Sequence, residues 1–107
     1  MHVNLDTVTV VHNEKRQRFE ATVAGLLSLI TYRKTPVRII YIHTEVPPAL
    51  EGNGIAGKLT QTALGFARSN HLRVIPQCPF VFQFMQHHPE YQDLLTPEDL
   101  HWVLSQK

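Results

Sequence analysis

Apolar and polar positions follow a period of two through the first 46 residues and a helical period from Gly54 onward, and this switch organises the chain. Phe19, Ala21 and Val23 alternate with Arg18, Glu20 and Thr22, so Gln17 to Val23 reads as a half-buried strand. A run from Thr7 to Val11 precedes it across an Asn13-Glu14-Lys15 turn. Ala24-Gly25 turns the chain into a third run, Leu26 to Tyr32, and Lys34-Thr35-Pro36 leads into a fourth, Val37 to Val46. Pro47-Pro48 ends that strand because proline has no N–H for a ladder. Connections this short join antiparallel neighbours, so a four-stranded antiparallel meander is expected. Strict alternation along the fourth strand places Ile39, Tyr41, His43 and Glu45 on one face, and Ile40, Ile42 and Thr44 on the other.

Beyond Gly54, Ile55, Leu59, Ala63 and Phe66 recur at helical spacing, with Lys58, Gln61 and Arg68 outside the stripe. This predicts an amphipathic helix ending near Ser69-Asn70. Leu72 to Ile75 then reads as a fifth strand, reached by a helical crossover and so parallel to the fourth. Pro79 suits the first position of a helix running to about His87, with Cys78 as its N-cap and Pro89 as its stop. Thr96-Pro97-Glu98-Asp99 starts a last helix, Pro97 to Ser105. The expected fold class is α+β: a mixed sheet of four antiparallel strands and a parallel fifth, with a crossover helix and short C-terminal helices, in one domain over residues 1–107.

Between strand and helix lies Glu51-Gly52-Asn53-Gly54-Ile55-Ala56-Gly57-Lys58. Glycines there let the backbone approach a ligand closely, and the first helical turn leaves N–H groups unpaired at the positive end of its dipole, so the segment is suited to a phosphate. Its spacing satisfies both G-x-G-x-x-G and G-x-x-x-x-G-K. A Walker loop requires Ser or Thr directly after the lysine, where this chain has Leu59. A Rossmann turn requires an acid about 20 residues on, and no Asp or Glu occurs between Gly52 and Pro89. Lys58, Arg68 and Arg73 make that acid-free stretch locally basic.

Composition adds bounds. At 107 residues, 43% hydrophobic and 18% charged, the chain has apolar material for one modest core. The net charge of +1 does not call for a nucleic acid or a membrane surface as partner. The single cysteine, Cys78, rules out an internal disulfide and suits a reducing, cytoplasmic setting. No signal peptide or membrane-spanning run is recognisable, and a monomer or weak homodimer is expected. Adjacent His87 and His88 point different ways on a helix and lack a spaced partner set, so no metal site is expected.

The segment Glu51-Gly52-Asn53-Gly54-Ile55-Ala56 resembles the pyrophosphate loop of the GNAT superfamily of acetyl-CoA-dependent N-acetyltransferases, [Arg/Gln]-x-x-Gly-x-[Gly/Ala]. Gly54 and Ala56 fall on its small positions, and Glu51 stands where Arg or Gln is usual. Together with His43-Thr44-Glu45-Val46-Pro47, Pro76-Gln77-Cys78-Pro79-Phe80-Val81 and His88-Pro89-Glu90-Tyr91, it resembles a minimal, single-domain branch of that superfamily over about residues 5 to 95. The resemblance implies acetyl-CoA as cofactor and an amine, unidentified, as acceptor. It implies that the pantetheine arm pairs with the fourth strand at Thr44, Val46 and Pro47, and that the pyrophosphate lies over Asn53, Gly54, Ile55, Ala56, Gly57 and Lys58, with Glu51 and Gly52 also binding the cofactor.

Three residues are candidates for chemistry. His43 beside Glu45 is a plausible proton acceptor near neutral pH, or else a hydrogen-bonded sheet residue beside a solvated strand end. Cys78, at the positive end of a helix, is suited to protonate the departing thiolate or to accept the acetyl group, and is otherwise a small buried apolar residue. Phe80, Phe82, Phe84 and Met85 read as packing, with Phe80 or Phe84 able to wall the pantetheine channel. A CoA-binding or sensing module without turnover is the alternative function.

Overall fold

The computed structural model describes residues 2–106. Five strands form one sheet in the order β1-β2-β3-β4-β5: β1 (Val11–Asn13), β2 (Arg18–Val23), β3 (Leu26–Lys34), β4 (Arg38–Glu45) and β5 (Arg73–Pro76). The first four pair antiparallel and β5 pairs parallel to β4. Helix α1 (Ile55–Ser69) makes the crossover, and α2 (Pro79–His87) and α3 (Pro97–Ser105) follow. This is the expected α+β fold, an antiparallel meander completed by a parallel fifth strand.

Local chemistry accounts for most boundaries. Ala24 and Gly25 both have positive φ, 52° and 76°, as a two-residue hairpin turn of matching twist requires. Thr96 caps α3 by accepting from the Asp99 amide at 3.2 Å. The first strand is corrected: it covers Val11–Asn13, not Thr7 to Val11. Asn4 Oδ1 accepts from the Asp6 amide and captures Leu5–Thr7 as a 3-10 turn, so pairing begins later. The hairpin turn shifts accordingly to residues 14–17, closed by Asn13 Oδ1 accepting from the Arg16 amide.

Helix α1 lies across one face of the sheet and buries Ile55, Leu59, Ala63, Leu64 and Ala67 against Phe19, Ile30, Tyr32, Ile39, Tyr41 and Val74. The Tyr41 hydroxyl donates to the Ala63 carbonyl, tying the middle of β4 to the middle of the helix. Helix α2 packs Val81 and Met85 beside α1, so the helices share one layer. The molecule is accordingly flat, 40 × 32 × 20 Å. On the opposite face Thr31, Arg33, Ile40 and Ile75 are half-buried or exposed, and Leu29 is buried.

At the β1 edge His12 stacks on Phe19 at 4.3 Å and hydrogen-bonds the Tyr32 hydroxyl. Desolvation by this packing holds its imidazole below the usual pKa, against an opposing pull from Glu14. The unfolded chain therefore takes up the proton more readily than the folded one. Stability from this site is complete above about pH 6.5 and is lost as pH falls through the lower folded value. Thermal unfolding between pH 7 and 5 should show a smaller loss for His12→Gln than for the unaltered protein. Equal losses would mean that other groups set the acid limb.

Candidate functional site

The site begins where β4 and β5 part. They pair only from Arg38 to Tyr41 against Arg73 to Pro76, and the last backbone bond between the segments runs from the Cys78 amide to the Tyr41 carbonyl at 2.8 Å. Pro76 and Pro79 flank that point, neither has an N–H to extend the ladder, and Pro79 starts α2 at once. His43 to Glu45 is therefore paired with β3 along one edge and, among the described residues, has no strand along the other.

That free edge leads into a cavity of about 390 Å³. Thr44 and Val46 wall it on the β4 side, Leu50 to Gly52 on the loop side, Gly54 to Gly57 at the head of α1, and Phe80 on the α2 side. Leu50 and Ile55 anchor the loop by full burial, and Asn53 Nδ2 donates to the Leu50 carbonyl at 2.9 Å. Gly54 is the N-cap of α1, with φ 82°, in the left-handed region. It has no side chain to cap the helix, and the first turn holds no acid. The first helical bond is Lys58 N–H to the Gly54 carbonyl, 3.1 Å. The amides of Ile55, Ala56 and Gly57 thus have no acceptor among the described residues, at the positive end of a 15-residue helix.

Of the predicted cofactor residues, Thr44, Val46, Glu51, Gly52, Gly54, Ile55, Ala56 and Gly57 line this cavity. Pro47, Asn53 and Lys58 do not: Asn53 braces the loop from behind, and the Lys58 ammonium donates to the Leu5 carbonyl. Leu50 was absent from the sequence-derived set, although a lone buried leucine after two prolines is a recognisable loop anchor. Phe80 reaches the cavity. Phe84 instead stacks on His88 at 3.8 Å, and the His88 Nδ1–H donates to the Phe84 carbonyl at 2.6 Å. Phe82 packs edge-on against Trp102.

The predicted chemical residues divide between the two sides of β4. Cys78 is the N-cap of α2 and is 2% exposed. Its Sγ does not cap the helix but lies 3.1 Å from Thr44 Oγ1, bridging the parting strands. The alternation expected along β4 is corrected by a β-bulge. Tyr32 pairs with Tyr41 and Thr31 with His43, leaving Ile42 as an extra residue. Thr44, opposite buried Ile30, therefore joins the helix-covered face, and His43 and Glu45 move to the open face, away from Tyr41. There His43 Nε2 is 3.8 Å from Glu45 Oε1, with both side chains about 60% exposed (60% and 63%).

Residues 18–94 match the family model described as GCN5-related N-acetyl-transferase. The chain is 32% identical to protein NATD1 of Bos taurus over 84% of each chain. It is 30% identical to protein NATD1 of Homo sapiens, again over 84% of each. Protein NATD1 of Xenopus tropicalis is 27% identical, over 85% of this chain and 88% of the relative. With the parted strands and the glycine loop, these similarities identify the chain as a member of the GCN5-related N-acetyltransferase family.

Proposed function

We propose that this protein binds acetyl-CoA in the cavity between β4 and the head of α1 and transfers the acetyl group to an amine. One observation carries the reading: the unpaired edge of β4 runs into an apolar cavity that ends on three acceptorless helix amides. An extended amide-bearing arm suits the edge, since Thr44 to Val46 can offer it ladder hydrogen bonds. A pyrophosphate suits the amides of Ile55, Ala56 and Gly57, where backbone N–H groups and the helix dipole favour negative charge. Glu51 lines the same cavity, and among the described residues no cation is within ion-pair distance of it, so the reading assigns the phosphate contacts to backbone rather than to a side chain.

The chemistry then meets at the gap. The amine nitrogen attacks the thioester carbonyl carbon, the C–S bond breaks, and the amine gives up a proton. His43, with Glu45 beside it, takes that proton on the open face. Cys78 does not itself line the cavity, but it is hydrogen-bonded to Thr44, which does, and on the helix-covered side it is the group we assign to protonate the leaving thiolate. The amine enters from the open face and the thioester from the other.

Thermal stability with ligand tests the binding step. Acetyl-CoA at a hundred times its dissociation constant should add about 2.7 kcal/mol, and ATP at the same concentration much less. No stabilisation by acetyl-CoA or CoA would remove the reading. Release of free CoA thiol with a panel of amines then tests transfer, and silence with every amine would favour a CoA-sensing module instead.

A further inference from the structure

The net charge of +1 hides a strong separation. Six of the ten Lys and Arg residues lie at the end of the sheet where β4 begins. Lys15 and Arg16 are in the β1–β2 turn, Arg18 starts β2, Arg33 and Lys34 end β3, and Arg38 starts β4. The register brings these together: the Tyr32 amide bonds the Gln17 carbonyl, Arg33 pairs with Ile40, and Lys34 with Ile39. Two carboxylates, Glu14 and Glu20, lie in the same segments, and Glu20 is spent on Arg18. Among the described residues no carboxylate comes within ion-pair distance of Arg33, Lys34 or Arg38.

These three cations frame a hollow of about 180 Å³ on the open face, with Thr35 at its rim and Ile40 and Ile75 as its apolar floor. Further along the same strand and face are His43 and Glu45, at the gap. Five residue steps separate Arg38 from His43, about 15 Å along a strand. The gap end has the opposite character, with Glu45 exposed beside His43 and no lysine or arginine on β4 beyond Arg38. A surface with cations at one end, an apolar floor between and a carboxylate at the reacting end matches a ligand of reversed polarity.

We infer that the open face of the sheet docks an acidic peptide segment, whose amine enters the gap at His43 while carboxylates four to five residues away sit among Arg33, Lys34 and Arg38. This rests on the transfer reading above for the role of the amine, and on the charge and shape of the face for the peptide. A nucleic acid fits less well. Single strands bind by stacking bases on aromatic rings. Here Phe19, Tyr32 and Tyr41 all lie in the core beneath α1, and the remaining aromatic residues are on helices or the turn after α2. An extended peptide covers about 3.3–3.6 Å per residue, so four to five residues span the distance required.

Binding of fluorescent peptides, measured by anisotropy at low salt, tests docking without needing turnover. The probe carries one lysine followed after four neutral residues by three glutamates, and its control has glutamines in their place. The acidic peptide should bind at least about tenfold more tightly, a difference that shrinks at 0.5 M salt. Arg33→Glu combined with Arg38→Glu should abolish the preference while leaving the thermal shift with acetyl-CoA unchanged. Equal binding of the two peptides, or a preference that survives the charge reversal, overturns the inference. Tighter binding of a single-stranded DNA of equal charge, or a concentration-dependent dimer lost on charge reversal, also overturns it by assigning the face to another occupant. If the acidic preference holds but acetyl-CoA does not stabilise the protein, docking stands and the transfer reading falls.

Discussion

Gly54→Val is expected to lower the stability of this protein by about 3 kcal/mol and to abolish measurable binding of acetyl-CoA. Two separate costs combine at this position. The residue sits at φ 82°, where a β-branched side chain is strongly disfavoured and even an ordinary one costs about 1–2 kcal/mol. A Cβ there would also stand 2.8 Å from Leu5 Cδ1, the end of a half-buried side chain that must swing aside, and the branched valine deepens that overlap, at an overpacking cost of about 1 kcal/mol. Leu5 is itself bonded through its carbonyl to Lys58 near the head of α1, so a disturbance there reaches the helix whose amides form the proposed anion site. In a domain of this size each kcal/mol is about 4–8 °C, so the unfolding midpoint should fall by roughly 12 °C or more.

The control is Gly52→Ala. Gly52 has nearly the same conformation, φ 81°, but a Cβ there meets nothing within 4 Å. It should incur only the backbone penalty of about 1 kcal/mol and retain acetyl-CoA binding within roughly a few-fold. The comparison is made by calorimetry with and without ligand. Should both variants keep native stability and affinity, the loop would not be holding a special backbone shape, and the glycines would have no structural claim on the ligand.

The same loop illustrates what can be read before a structure. Its glycines, the switch of hydrophobic period at Gly54, and the prolines at 47, 48, 79 and 89 each express a local rule, and the observed helix starts at Ile55 and Pro79 follow from them. The parallel fifth strand was legible because a helix of that length leaves few other routes back to the sheet. What was not legible is the register between strands. Nothing in Ile39-Ile40-Tyr41-Ile42 announces that Ile42 is unopposed, since four apolar residues in a row fit either register. A bulge is a compromise between two strands rather than a property of one. It nonetheless decides the site, because it sends Thr44 to Cys78 and His43 to the open face. The charge separation was hidden for a similar reason: its cations lie on three segments that only the hairpins bring together.

Cys78→Ala is expected to reduce turnover about 100-fold, equivalent to about 2.7 kcal/mol in the barrier, while changing affinity for acetyl-CoA less than threefold. Cys78 is assigned to the leaving thiolate because its thiol lies on the helix-covered side of the gap, 3.1 Å from Oγ1 of the cavity-lining Thr44. Loss of a proton donor raises the barrier without removing the contacts that hold substrate, so kcat should move and KM should not. Cys78→Ser keeps a hydroxyl able to bond Thr44, and so keeps the bridge between the strands, but it offers a much weaker acid. It should therefore restore stability without restoring rate. Thr44→Val makes the converse change, leaving the thiol in place without its partner, and its effect on rate should be smaller than that of Cys78→Ala. The alternative covalent route is separated by mass spectrometry of the protein after incubation with acetyl-CoA alone: an acetyl adduct on Cys78 means that the thiol carries the group, and its absence with a slow Cys78→Ala variant means that it donates a proton. Because Cys78 is 2% exposed, either role requires the gap to open on the Cys78 side when substrate enters. Unchanged turnover in both Cys78→Ala and Cys78→Ser would reduce Cys78 to a core residue that pins β4 to α2, and would leave His43 and Glu45 as the side chains to test next.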